Sequence, residues 1–178
     1  MFKKIVLLIA FSSFFSIHSQ EWKQNNEQTK VTFKIKNFGI HVDGNFNVVK
    51  IKTNFNSKQL SESFINAEIN VKSISTGIEA RDKHILKNDY FNEKTHKKIQ
   101  FKSLKIVKNE DRTFSLFGNI TIKGITKKIK VPIEILENEM SLMLKSDFTI
   151  NRKDFNINGG GFVLSKTVKI SVNFKGIK

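Results

Sequence analysis

The 178-residue chain contains no cysteine. Disulfides, thiolate metal sites and attachment of lipid through a cysteine are therefore all excluded. It has a single proline, Pro132, so almost nothing interrupts backbone pairing. Tryptophan and tyrosine occur once each, and acidic residues number 16 against 31 basic ones. No stretch is apolar for the roughly 20 residues that a membrane-spanning helix needs. Internal repeats and low-complexity tracts are absent too, and one domain, residues 20–178, is the expected organisation.

The segment 1–19 reads as a cleaved signal peptide. Lys3 and Lys4 form a basic head, Ile5 to Phe15 is apolar apart from Ser12 and Ser13, and Ser19 supplies a small residue before Gln20. A periplasmic or secreted protein is the expectation. The net charge of +15 owes only Lys3 and Lys4 to this leader. The remaining basic residues alternate with apolar ones, as in Lys34 and Lys36 between Val31, Phe33 and Ile35. That is the pattern of a solvated sheet face, where lysine also discourages edge pairing. It leaves peripheral contact with an anionic membrane among the candidate roles of the charge. Nucleic acid is set aside, because no aromatic-basic recognition motif is present.

Alternation of period two dominates the chain, which makes it all-β. Val31, Phe33 and Ile35 share one face. In Asn45–Phe55 the apolar parity switches between Val48 and Val49, the mark of a bulge or sharp bend that lets a sheet curl. Thr113–Ile122, Ile129–Ile135, Met140–Ile150 and Phe162–Phe174 alternate in turn. About eight strands joined by turns indicate an antiparallel sandwich or barrel. Phenylalanine, 17 in all, recurs on the inward parity at Phe33, Phe46, Phe101, Phe114, Phe148, Phe162 and Phe174. An eight-stranded barrel is just wide enough to be filled by such side chains or to hold one elongated ligand, and the residues leave both open.

One stretch departs from this pattern. Ile69–Ser103 starts and ends as strand but has helical character near residues 77–91. It carries Arg81, Asp82 and His84, and a second pair, Arg152 and Asp154, precedes the last strand. No catalytic or metal-binding spacing accompanies them. His41, His84 and His96 lack a His-Glu-x-x-His arrangement, no Gly-x-Ser-x-Gly elbow surrounds Ser73 or Ser75, and no helix follows Gly159–Gly161. Anchoring of loops over a barrel mouth is the plainer role for these charges, with contact to a polar head group as the functional one. No metal, cofactor or catalytic residue is expected.

SISTGIEARDKHILKNDYF at 73–91, Ile99–Ser103, Gly118–Lys127, Asn151–Phe155, Val31–Ile35 and Gly44–Phe46 together resemble, in order, the YceI-like family. The resemblance implies an exported protein with a single antiparallel eight-stranded lipocalin-like barrel and one short helical lid. It also implies a polyisoprenoid or other long-chain amphiphile as ligand and no catalytic chemistry. Tyr90-Phe91, Ile85, His96-Lys97 and Asn156 depart from the family's usual residues. On this reading the tunnel and lid comprise Phe33, Phe46, Ile69, Val71, Ile78, Ile85, Leu86, Tyr90, Phe91, Phe101, Phe114, Leu116, Leu142, Leu144, Phe148 and Phe162. Arg81, Asp82, His84, Arg152 and Asp154 become anchors of the mouth. A long-chain lipid, an anionic membrane surface and a second copy of the chain are the candidate partners. A packed barrel that binds partners through its basic surface is the alternative.

Overall fold

The computed structural model describes residues 21–178, so the expected signal peptide lies outside the described residues. Among these residues eleven strands make one antiparallel sheet. They are β1 (Lys23–Gln24), β2 (Lys30–Asn37), β3 (Ile40–Phe46), β4 (Val49–Thr53), β5 (Ile65–Asn70), β6 (Ile74–Ser75), β7 (Lys98–Glu110), β8 (Thr113–Ile122), β9 (Ile125–Glu137), β10 (Ser141–Asn151) and β11 (Leu164–Ile177). A seven-residue helix, α1 (Glu79–Ile85), interrupts the series between β6 and β7.

The bend that the parity switch predicts separates β3 from β4. Phe46 and Ile51 are buried on either side of it, while Val48 turns outward. Opposite this corner the chain bends again, through a 3-10 turn at Val71–Ser73. Phe46 pairs with Ile74 on one side of the corner and Val49 with Ile69 on the other. Asn47 and Val48 donate across it to the Ser73 carbonyl and hydroxyl. The two short ladders are therefore one interrupted pairing. Counting β3 with β4, and β5 with β6, as single bent strands leaves an eight-stranded barrel with the short β1 added to it.

β1 seals the remaining seam, a role that the polar lead Glu21–Gln28 does not advertise. It pairs with β11. On its other side the Gln24 side chain imitates a strand: its amide donates to the Val49 carbonyl at 2.8 Å and its oxygen accepts from the Ile51 N–H at 2.6 Å. The Trp22 indole N–H reaches the Phe55 carbonyl at 2.9 Å.

The two ends of the barrel differ in what fills them. At the end of the β7–β8 and β9–β10 turns, Trp22, Phe55, Phe114, Leu142 and Phe174 pack into a solid layer. Phe55 meets Phe114 edge to face, with centroids 5.3 Å apart. Leu142 is 0% exposed and Phe55 1%. Each such side chain contributes about 1.5–3 kcal/mol by leaving water. The opposite end carries the β2–β3 and β8–β9 turns, α1 and the loop before β11, and the interior beneath them is hollow.

Candidate functional site

Under α1 lies a cavity of about 620 Å³, within the range of roughly 300–1,000 Å³ of small-molecule sites. Its walls are the inward faces of the strands: Val31, Phe33 and Ile35 from β2, Ile120 and Ile122 from β8, Val131 and Ile133 from β9, Phe148 and Ile150 from β10, and Val168, Ile170 and Val172 from β11. Two aromatic walls depend on glycine. The Phe33 ring covers Gly44 and the Phe101 ring covers Gly118, so that a Cβ built at either glycine would stand 2.3 Å from a ring carbon. The missing side chains give each ring room against the barrel wall.

Of the side chains expected to line a tunnel, Phe33, Phe46, Ile69, Ile85, Tyr90, Phe91, Phe101, Leu116, Leu144 and Phe148 do so. Six do not. Phe114 and Leu142 share the inward parity but sit in the solid layer at the closed end. Val71 is buried in the 3-10 turn, within the packing around the corner. Leu86 packs behind the cavity wall rather than on it. Ile78 is 52% exposed just before α1. Phe162 is fully exposed, because Gly160 and Gly161, with φ of 80° and 52°, turn the chain before β11 begins at Leu164. Met140, which opens the alternating run Met140–Ile150, occupies the β9–β10 turn and is exposed. The aliphatic lining of β8, β9 and β11 is larger than the aromatic emphasis of the sequence suggests, although its period-two spacing signals it.

α1 presents Ala80, Arg81, His84 and Ile85 to the cavity, the i, i+4 face of one helical stripe. None of its residues is buried. Wall residues that are themselves solvent-exposed, such as Ala80 and His84, mark an opening beside the helix. Thr76 organises the charges there. Its hydroxyl donates to Asp82 at 2.5 Å and accepts from Arg81 Nε at 2.7 Å, its N–H donates to the same carboxylate, and its carbonyl accepts from Arg81 Nη2. Asp82 thus stands behind the cavity wall and holds Thr76, while Arg81 lines the opening, with Nη1 lacking an acceptor among the described residues.

Arg152 is a loop anchor of another kind. It is 2% exposed and donates to four carbonyls, those of Ile157, Gly159, Leu164 and Ser165. Burial lowers its pKa. Asp154, expected beside it as a second loop anchor, lies exposed in the 3-10 turn Arg152–Phe155. Asn156 ends this turn in the left-handed region at φ 53°, a position that asparagine tolerates in place of glycine. Four further hydrogen bonds tie the loop to the lid. Asn158 and Gly159 donate to the Asp89 carbonyl, and Lys123 Nζ joins the carbonyls of Asn88 and Asn156. Tyr90 lies between them, edge to face with His84 at 5.1 Å. Burial, assisted by Asp89 and opposed by Arg152, raises its phenol pKa above the usual 10.0.

The profile of the YceI-like domain matches residues 22–176. The chain belongs to the YceI-like family. A UPF0312 protein of Pectobacterium carotovorum is 28% identical over 165 residues, covering 89% of this chain and 85% of the relative. Among solved structures, Burkholderia cenocepacia BcnA superposes with a TM-score of 0.82 at 21% identity, covering 86% of this chain and 99% of that one. A polyisoprenoid binding domain from Saccharophagus degradans gives 0.69 at 14% identity, covering 88% and 98%. At these identities the structures establish a shared fold. It is the lipocalin-like YceI barrel.

Proposed function

We propose that this YceI-like protein is an exported carrier that holds one long apolar chain, polyisoprenoid-like or another amphiphile, in the hollow half of its barrel. The carrying observation is the cavity itself: aliphatic and aromatic walls, a solid floor, and an opening where Arg81 and His84 stand. Such a site gains affinity by burying methylenes, about 0.8 kcal/mol each, and orients its guest by a few polar groups at the rim. The Saccharophagus domain described as polyisoprenoid binding supports this chemical class. The packed-barrel alternative describes only the closed end.

Native mass spectrometry of protein purified without detergent from its own host tests the proposal. A 1:1 lipid adduct that is absent from Leu116→Trp, whose indole fills the cavity floor, is expected. Ligand-free protein, or an adduct untouched by Leu116→Trp, would overturn it. Export is tested by N-terminal sequencing of the mature chain, expected to begin near Gln20.

A further inference from the structure

Large apolar side chains stand in water around the cavity opening, on three separate segments. Phe38 and Ile40, 73% and 72% exposed, stand in the β2–β3 turn and at the start of β3; Phe162 and Val163, 109% and 40%, precede β11; Ile78, 52%, precedes α1. In each segment the exposed residue is bracketed by cavity-lining ones: Asn37 and Val42, Gly160 and Leu164, Thr76 and Ala80. The first two segments are joined, because the Phe38 N–H donates to the Val163 carbonyl at 2.9 Å and Asn37 pairs with Leu164. The side chains therefore form a rim around the route a ligand must take. Exposure on this scale marks an interaction surface rather than scattered surface residues.

The surrounding charge indicates what the rim meets. Lys36 and Lys166 flank the joined loops, both exposed and without an ion pair among the described residues. Of the acids at this end, Asp43 and Glu79 are held by Lys34 and Lys83, and the exposed Asp89 and Asp154 are outnumbered by the exposed Lys36, Lys87, Lys153 and Lys166. Apolar tips beside uncompensated lysines match a bilayer with anionic head groups, into whose interface the tips enter while the lysines remain at the phosphates. The barrel as a whole is not built to span that bilayer. Lys105, Lys128, Lys130, Lys145 and Lys169 stand exposed along the outer faces of its strands, where a transmembrane barrel carries an apolar band.

We propose that the rim formed by Phe38, Ile40, Phe162 and Val163 docks the open end of the barrel onto an anionic membrane surface, so that a lipid chain passes between bilayer and cavity without crossing water. The purpose of docking rests on the carrier reading; docking itself is measurable without a guest. Delipidated protein is sedimented with phosphatidylglycerol–phosphatidylethanolamine vesicles, and binding of a soluble fluorescent long-chain probe is measured separately. Wild type is expected to sediment with the vesicles. The double variant Phe38→Asp/Phe162→Asp is expected to partition at least about tenfold more weakly. It should also unfold at the wild-type temperature and bind the probe as wild type does. Met140→Asp, at the closed end, should sediment as wild type. Wild type that remains in the supernatant, or a double variant that sediments unchanged, would overturn docking. So would a double variant that converts a dimer to a monomer, since that assigns the rim to a second copy. A probe that fails to bind protein which still sediments counts against the carrier reading alone.

Discussion

Tyr90 is the only tyrosine in the chain, so tyrosinate absorbance reads this one side chain. Its raised pKa means that the folded state keeps the phenol proton at pH values where the unfolded chain has released it. Its contribution to stability is thus complete below about pH 10 and is lost as the pH rises through the folded value. A titration is expected to show a midpoint above 10.0 in buffer that returns to the ordinary value in denaturing urea. A native midpoint at or below the ordinary value would mean that the ring is not enclosed by the lid and the loop of Arg152. Arg81 gives a second prediction at this scale. Fixed by Thr76 at the opening, it suits an anionic head group, so Arg81→Ala should weaken binding of a phosphorylated isoprenoid and leave that of the corresponding alcohol unchanged in the same titration.

Among the elements, the glycine-backed aromatic walls make the sharpest prediction. Gly118→Ala places a methyl against the Phe101 ring and the Lys102 carbonyl, 2.3 Å and 2.7 Å from the added carbon. The ring has to move toward the cavity. A stability loss of about 1–3 kcal/mol is expected in urea unfolding, together with weaker probe binding. The period-two alternation made most strands legible, including the bend after Phe46, because one face of each is dry and the other wet. It could not tell the closed end from the open one, as Phe114 and Phe148 have the same parity and differ only in what lies across the barrel. Phe162 continues an alternating pattern on paper, but two left-handed glycines remove it from the strand. Gln24 left no readable signal, since a glutamine side chain acting as a strand is defined only by the β4 backbone it meets. Arg152 was legible as an anchor, while its partners, all carbonyls, have no sequence signature.

For the whole molecule, stability and binding are divided along the barrel axis. Phe55, sealed in the solid layer, should cost about 3–5 kcal/mol when cut to alanine and leave little folded protein under mild denaturant. Phe33→Ala removes a half-buried ring that already borders a void, so it should cost far less in unfolding while measurably weakening the hold on an apolar chain. Trp22, the single tryptophan, sits in the solid layer and reports both unfolding curves by its fluorescence. Equal losses for the two variants would show that the ends of the barrel are not distinct.

The most direct measurement is a crystal structure of the delipidated protein after exposure to a long-chain isoprenoid. Density for one chain is predicted to enter beside α1 and to run between Phe33, Phe101 and Ile170. It should stop at Leu116, Val131 and Leu144, above the layer of Phe55, Phe114 and Leu142. An interior filled by side chains, or a chain bound on the outer face of the barrel, would contradict the account.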